Sequence, residues 1–344
     1  MNNKILKKIF VYSLFTGAFI ATILIVTYNS FYSSAIDKKS SIFITNDTVY
    51  TDFTDNIKQQ IPNFFKRTAF DLYASHLNLE QRLKLGHYTL EEGMSVIKMV
   101  RMFVLGEQTA IDLVVGGART LPQLAGKLSK HIMADSLSLL SAMRDKELKA
   151  KLGYHKDSLI AMFIPNTYQV YWTITPQQLL ERINKESKAF WNTSRKEKLT
   201  QAKLTEYQAM TIASIVYEET KNRGEMPKIA GVYINRLRKG MPLQACPTVK
   251  YAMGDFSLTR ILYKHLRYDS PFNTYRNAGL PPAPICIPSI AAIDAVLNYD
   301  KNNYLYFCAK PEFDGTHNFA RTLTEHNTNS RKYNEALKRL KKRR

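Results

Sequence analysis

Cysteine is scarce in this chain: Cys246, Cys286 and Cys308 are its three among 344 residues. They show no CxxC spacing and no neighbouring histidine pattern, which speaks against a zinc site. Their odd number leaves at least one thiol unpaired and excludes a complete disulfide framework. No metal or cofactor is expected. Long Pro/Gly linkers and low-complexity segments are also missing. Acidic residues are few, 29 against 49 basic ones, for a formal charge of +20. Such an excess predicts attraction to nucleic acid, anionic lipid or an acidic polymer without choosing among them. The basic residues are spread over several helical stretches, without the interleaved aromatic motif of nucleic-acid modules, so no nucleic-acid partner is expected. What is present is apolar content of 45%, enough for real cores, in a chain whose length suits two domains.

The N-terminus narrows the field. Lys4, Lys7 and Lys8 precede an uncharged run from Ile9 to Tyr28, and about 20 apolar residues span a hydrocarbon core. Flanking lysines keep that end in the cytoplasm. The expectation is a cytoplasmic tail over 1–8, a transmembrane helix over 9–28, and a single-pass protein of the cytoplasmic (inner) membrane with its body on the extracytoplasmic side. The alternative is a signal peptide cleaved near Tyr32–Ala35, although the run exceeds the usual apolar region of about 7–15 residues. Either version exports the body of the chain, where a polyanion is more often cell wall or lipid.

The fold class expected is α+β. Residues 41–150 read as a small membrane-proximal α/β module. "SIFITNDTVY" suggests a strand pair turning at Asn46-Asp47. Helical periodicity follows in "IPNFFKRTAFDLYASHL" and in "EEGMSVIKMVRMFVLG", closed by Gly106. A strand, a Gly-Gly turn and a helix from near Thr120 come next. A mixed α/β domain is expected over 153–344. It contains one long amphipathic helix across "QQLLERINKESKAFWNTSRKEKL", a helix with capping-box spacing at Thr205 and Gln208, and a helix with Pro227 in its first turn and Gly240 at its end. Beyond Lys250 come aromatic loops, a strand at Tyr304–Lys310 and a closing basic helix.

"ASIVYEET" ends one of these helices with two adjacent carboxylates. At about 100° per residue, Glu219 lies within about 20° of the direction of Ile212, on the apolar stripe, whereas Glu218 projects about 100° away. A desolvated carboxyl has a raised pKa, as a general acid near neutral pH requires. The other reading is a buried glutamate paired with an arginine such as Arg236. Geometry alone leaves both open.

From about Met162 onward the chain resembles the YceG-like family of endolytic murein transglycosylases. The resemblance is carried, in order, by "FIPNTY", "ASIVYEET", "AGVYINRLRKGMPLQACPTVKYAMG", "SPFNTYRNAGLPPAPICIPS", "YLYFCAK" and "GTHNFARTLTEHN". It implies a membrane-anchored enzyme that cuts nascent peptidoglycan strands, with a LysM-like membrane-proximal module and a YceG-like catalytic domain. The family motif, Ala-Ser-Ile-[Ile/Val]-Glu-x-Glu-Thr, places its catalytic glutamate at Glu219. Its first glutamate is Tyr217 here. Asn166 and Cys246 also stand where the family often has Asp.

The implied reaction cleaves the β-1,4 bond between N-acetylmuramic acid and N-acetylglucosamine and closes a 1,6-anhydro ring. Because the nucleophile belongs to the substrate, no second carboxylate is needed, unlike most glycoside hydrolases. Asp255, Asp269 and Asp314 sit in loops with no distinctive pairing to Glu219. Asn235, Arg236 and Gln244 are candidates for sugar hydroxyls and N-acetyl groups, with helix and loop structure as the other reading. Asn273, Thr274 and Tyr275 offer polar contacts and an aromatic platform, and Tyr251 is a further candidate. His317, Asn318 and Phe319 are placed in a loop just past the turn at Asp314-Gly315, where they either contact substrate or hold structure. Expected partners are peptidoglycan strands, peptidoglycan synthases and the membrane through one helix. The alternative function is a catalytically silent cell-wall-binding scaffold of the same fold.

Overall fold

The structure is a computed structural model and describes residues 3–154 and 156–342. Residues 1 and 2 of the expected tail, and residues 155, 343 and 344 of the expected second domain, lie outside the described residues. The fold is mixed α and β, and the chain divides into two compact units, Met1–Ile111 with Gln169–Thr173, and Asp112–Tyr168 with Ile174–Arg344. The break therefore falls near residue 111, not near 150. The strand, Gly-Gly turn and helix expected to close the first module belong mostly to the second unit.

The first unit begins with α1 (Asn3–Tyr32), the one described helix long and apolar enough to cross a membrane, with a mean hydropathy of 2.3. A signal sequence would satisfy the same measure. β1 (Ser40–Ile44), α2 (Tyr50–Gln60), α3 (Phe64–His76), α4 (Leu79–Arg82), β2 (Gly86–Leu90) and α5 (Val96–Leu105) follow. The expected local strand pair at Asn46-Asp47 is not formed. A turn there leads into α2, and β1 pairs antiparallel with the distant β2, Ser40 opposite Leu90 and Ile44 opposite Gly86. The long-range partner wins because it closes an apolar core. Phe103 packs edge-on against Phe53 and Tyr88, each at 5.0 Å between centroids. Gly106 ends α5 with φ of 75°, a conformation that glycine adopts without a side-chain penalty.

β3 (Ala110–Val115) pairs with β4 (Asn166–Tyr171), and each strand contributes residues to both units. Within the second unit come α6 (Leu121–Leu128), α7 (Ser136–Arg144), α8 (Lys146–Leu152) and a 3-10 turn at Lys156–Met162. α9 (Pro176–Phe190) and α10 (Thr193–Ala202) replace the single long helix expected there. The Asn192 side chain accepts from the backbone N–H of Arg195 and so starts a new helix.

α11 (Glu206–Glu219) is the centre of this unit. Thr205 and Gln208 form its expected capping box, and every residue from Ala209 to Val216 is buried. Burial is thus all-round rather than confined to one stripe. The hydroxyls this traps are satisfied: Thr211 donates to the Tyr207 carbonyl at 2.9 Å and Ser214 to the Thr211 carbonyl at 2.7 Å. α12 (Met226–Arg238), α13 (Cys246–Met253), α14 (Tyr263–Leu266) and α15 (Ile290–Leu297) precede a hairpin-like pair, β5 (Tyr306–Ala309) with β6 (His317–Ala320), and the closing α16 (Leu323–Lys342). His317, Asn318 and Phe319 are therefore strand residues, not loop residues. α12 is glycine at position 231 because the Asp300 carbonyl crosses it where a Cβ would sit.

Candidate active site

Glu219 is the last residue of α11, and Thr220 breaks the helix by turning extended at φ of −144°. Its side chain is partly buried and lines a cleft of about 450 Å³. Tyr233, from the facing side of α12, donates its hydroxyl to Glu219 Oε1 at 2.8 Å. Burial raises the carboxyl above its ordinary pKa. The Tyr233 hydrogen bond, His317 and Lys250 pull the other way, and Glu218 adds to the rise. The carboxyl is thus biased toward its proton-bearing form and held in one orientation.

The neighbouring glutamate has a different environment. Glu218 forms an ion pair with Arg119 at 3.0 Å, and that guanidinium lies 4.8 Å from the Phe256 ring. Glu218 does not line the cleft. The alternative partner considered for Glu219 is occupied elsewhere. Arg236 donates from Nε to the Leu305 carbonyl at 2.6 Å, and from Nη1 to those of Pro242 at 3.1 Å and Leu243 at 2.9 Å.

The remaining candidates separate into two groups. Arg236, Gln244, Tyr275 and His317 line the cleft with Glu219. Gln244 holds a positive φ of 52° and accepts from Arg236 Nη1 at 3.3 Å. Tyr275 meets Cys246 at 3.3 Å between hydroxyl and thiol, and burial pushes both groups up in pKa. His317 is clamped by Glu225, which accepts from its backbone N–H at 2.9 Å and meets Nδ1 at 2.8 Å. That leaves Nε2 as the ring nitrogen available to the cleft.

Asn235, Tyr251, Asn273, Thr274, Asn318 and Phe319 are not brought into this lining. Asn235 Nδ2 donates to the carbonyls of Asn302 at 2.8 Å and Tyr304 at 3.1 Å, pinning the approach to β5. Asn273 is wholly buried. It donates to the carbonyls of Leu266 and Tyr268 at 3.0 and 2.8 Å and accepts from the Tyr275 N–H at 3.0 Å. Thr274 bonds the Ala245 N–H at 3.0 Å and Thr248 at 2.9 Å. Tyr251 packs on Phe272 at 4.8 Å, and Phe319 on Tyr304 at 5.6 Å. Asn318 stands opposite Cys308 in the strand pair.

Cleft residues not singled out from sequence include Tyr233, Tyr306, Phe307, His326 and Asn327. Tyr233 was signalled by its place three residues before Arg236, on one helix face. His326 and Asn327 lie in the quoted block "LTEHN". His326 stacks on Tyr306 at 5.3 Å between ring centroids and carries a buried Nδ1 without a partner. Glu225 carried no pattern of its own, since its role depends on β6 arriving from 92 residues away. Asp255, Asp269 and Asp314 are turn and surface groups: Asp255 bonds Ser257, Asp314 bonds Thr316, and Asp269 pairs with Arg276 at 3.4 Å. Asn166 accepts from the Thr167 N–H at 2.9 Å, at the start of β4.

A carboxyl whose pKa is raised by burial, oriented by a phenol and set among aromatic and polar side chains is equipped for general acid–base work on a polar substrate. Comparison with known proteins makes the class specific: the chain belongs to the YceG-like family, whose profile matches residues 42–332. It is 30% identical over 281 residues to the endolytic murein transglycosylase of Bacillus subtilis, covering 77% of each chain. The endolytic murein transglycosylase of Streptococcus pneumoniae is 28% identical over 296 residues, which cover 76% of this chain and 52% of that longer protein. A crystal structure of a YceG-like protein from Listeria monocytogenes superposes with a TM-score of 0.58 at 28% identity, over 85% of this chain and 98% of that one.

Proposed function

We propose that this protein is an endolytic murein transglycosylase, a lyase that cuts peptidoglycan glycan strands internally, with Glu219 as its acid and base. The protonated Glu219 carboxyl gives its proton to the glycosidic oxygen as the C1–O bond of the muramic residue breaks. The C6 hydroxyl of the same sugar then bonds to C1, and its proton returns to the Glu219 carboxylate. Bonds and protons balance, no water is consumed, and the enzyme ends as it began.

One observation carries this reading: a single desolvated carboxyl serves the cleft, with no second carboxylate among its described lining residues. A hydrolytic pair would need a second carboxylate facing the same cleft, whereas a nucleophile supplied by the substrate does not. The nearby Glu218 and Glu225 are outside its lining and pair with Arg119 and His317. Arg236, Gln244, Tyr275 and His317, which line the cleft, would hold the sugars. Asn235, Asn273 and Thr274 would act by fixing the walls.

The membrane reading belongs with this function. α1 crosses the cytoplasmic membrane, the tail lies inside, and the body faces the wall. Ala35 and Ile36 are almost fully buried, and the Ala35 N–H donates to the Met94 carbonyl at 2.8 Å, so cleavage after Ala35 would cut beside a packed core. The first unit, an antiparallel strand pair bracketing three helices, is the LysM-like module. A nascent-strand substrate places peptidoglycan synthases as neighbours. The test is incubation of the full chain in detergent with purified glycan strands, followed by mass spectrometry. Anhydro-ended fragments are expected, and none from Glu219→Gln. An unchanged yield from that variant, or no such fragments from the native protein, would overturn the proposal.

A further inference from the structure

The first unit leaves one apolar helix face uncovered. On α3, Phe64, Phe65 and Leu72 are 73%, 59% and 61% exposed. Phe65 and Leu72 are seven residues apart and project within about 20° of each other, with Phe64 about 100° from Phe65. The far side carries the buried Phe70 and Ala74, about 140° and 180° from Phe65, and the buried Ala69 lies at the border between the two. Apolar residues this large seldom cluster on a water-facing helix without a partner.

Its position identifies the occupant. Lys66 donates its ammonium to the Ser34 carbonyl, just past the end of α1. Tyr73 packs edge-on against Phe31 at 6.3 Å, in the last turn of α1. These contacts lie seven residues, or about 10 Å, apart along α3 and meet the chain in the last turn of α1 and just past it. α3 therefore packs against the exit end of α1. The 20 residues from Ile9 to Tyr28 are about a hydrocarbon core in length, which puts Tyr28 and Tyr32, stacked at 5.0 Å, at headgroup level, where aromatic belts form. Lys66 and Arg67 follow the two phenylalanines, and Asp71 is engaged by Lys58 at 3.6 Å.

We propose that α3 is an interfacial helix whose Phe64, Phe65 and Leu72 insert into the outer leaflet of the membrane that α1 crosses. This rests on the reading of α1 as a retained anchor. Together the spanning helix and a helix lying in the interface fix the tilt of the first unit at the bilayer, which a spanning helix alone would not do.

The test places photoreactive benzoylphenylalanine at Phe65, at Leu72 and, as a reference inside the span, at Leu24 of the full chain. Each protein is reconstituted in vesicles of phosphatidylethanolamine and phosphatidylglycerol and irradiated. Adducts heavier by one phospholipid are expected at all three positions. Lipid adducts at Leu24 but none at Phe65 and Leu72 overturn the interfacial helix and leave the anchor intact. Cross-links from Phe65 or Leu72 to a second copy of the chain overturn it likewise. No lipid adduct at Leu24 overturns the anchor reading itself.

Discussion

Among the described residues the Tyr233 hydroxyl is the hydrogen-bond partner of the Glu219 carboxyl, at 2.8 Å, so Tyr233→Phe isolates its effect. The substitution removes one oxygen from a side chain that is about 1% exposed and leaves the ring in place. As Glu219 gives up its proton, the bond changes from one with a neutral acceptor, worth about 0.5–1.5 kcal/mol, to one with a carboxylate, worth about 1.5–3 kcal/mol. The difference, about 1–1.5 kcal/mol, is felt only in the transition state, which corresponds to a loss of about five- to tenfold in kcat. The direction of the pH effect also follows. The hydrogen bond favours the ionised form and opposes the rise caused by burial, so its loss raises the Glu219 pKa further. The alkaline limb of the rate profile, where the acid loses its proton, should then move to higher pH, and the deficit should narrow as pH rises. The assay is the initial rate of anhydro-end formation on defined glycan strands across the pH range. An alkaline limb moved to lower pH, or a rate within about twofold of native throughout, would refute the assigned hydrogen bond.

Other substitutions test other parts of the site. Glu219→Gln should reduce activity by at least about a hundredfold. It should also stabilise the fold at neutral pH: a raised folded-state pKa means the folded chain binds the extra proton, so this carboxyl costs stability increasingly as pH rises above the unfolded value of about 4.3. Thermal unfolding at pH 4 and pH 8 should show the variant's advantage only at the higher pH. Glu225→Ala removes two hydrogen bonds from His317 and should lower kcat/KM by about tenfold or more, with Glu225→Gln milder because an amide can still accept the backbone N–H. Asn273→Ala removes three buried hydrogen bonds and should cost about 3 kcal/mol in urea unfolding. Gly231→Ala should cost about 1–3 kcal/mol, since its methyl would meet the Asp300 carbonyl.

Local sequence signals match the structure where the physics is local. The Thr205–Gln208 capping box and the Gly106 stop both form as spacing implied. What was not legible depended on partners far along the chain. The turn at Asn46-Asp47 suggested a hairpin, but β1 gains a deeper core by pairing with β2. Asn192 was hidden inside an amphipathic pattern, although its capping side chain splits that pattern into α9 and α10. The polar runs after Lys250 looked like substrate contacts because asparagine and threonine serve sugars and backbone carbonyls equally well. Only the burial of Asn273 and Thr274, among carbonyls and hydroxyls that use their hydrogen-bonding atoms, decides between those uses. Glu225 and Tyr233 gain meaning only when β6 and α11 arrive beside them.

Tyr217 stands where the family motif carries its first glutamate. Two residues before Glu219 on a helix is a rotation of about 160°, and the structure agrees: Tyr217 faces a separate hollow bordered by Gly117, Pro165 and Pro288. Lys221 lies over its ring at 3.6 Å and donates to its carbonyl at 2.8 Å. A carboxylate at that position would form its ion pair on the far side of α11 and contribute little to the acidity of Glu219. Tyr217→Glu should therefore leave the pH profile of cleavage in place, with any change confined to stability. A displaced profile would show that charge behind α11 reaches the cleft, and would move the control of acidity away from Tyr233.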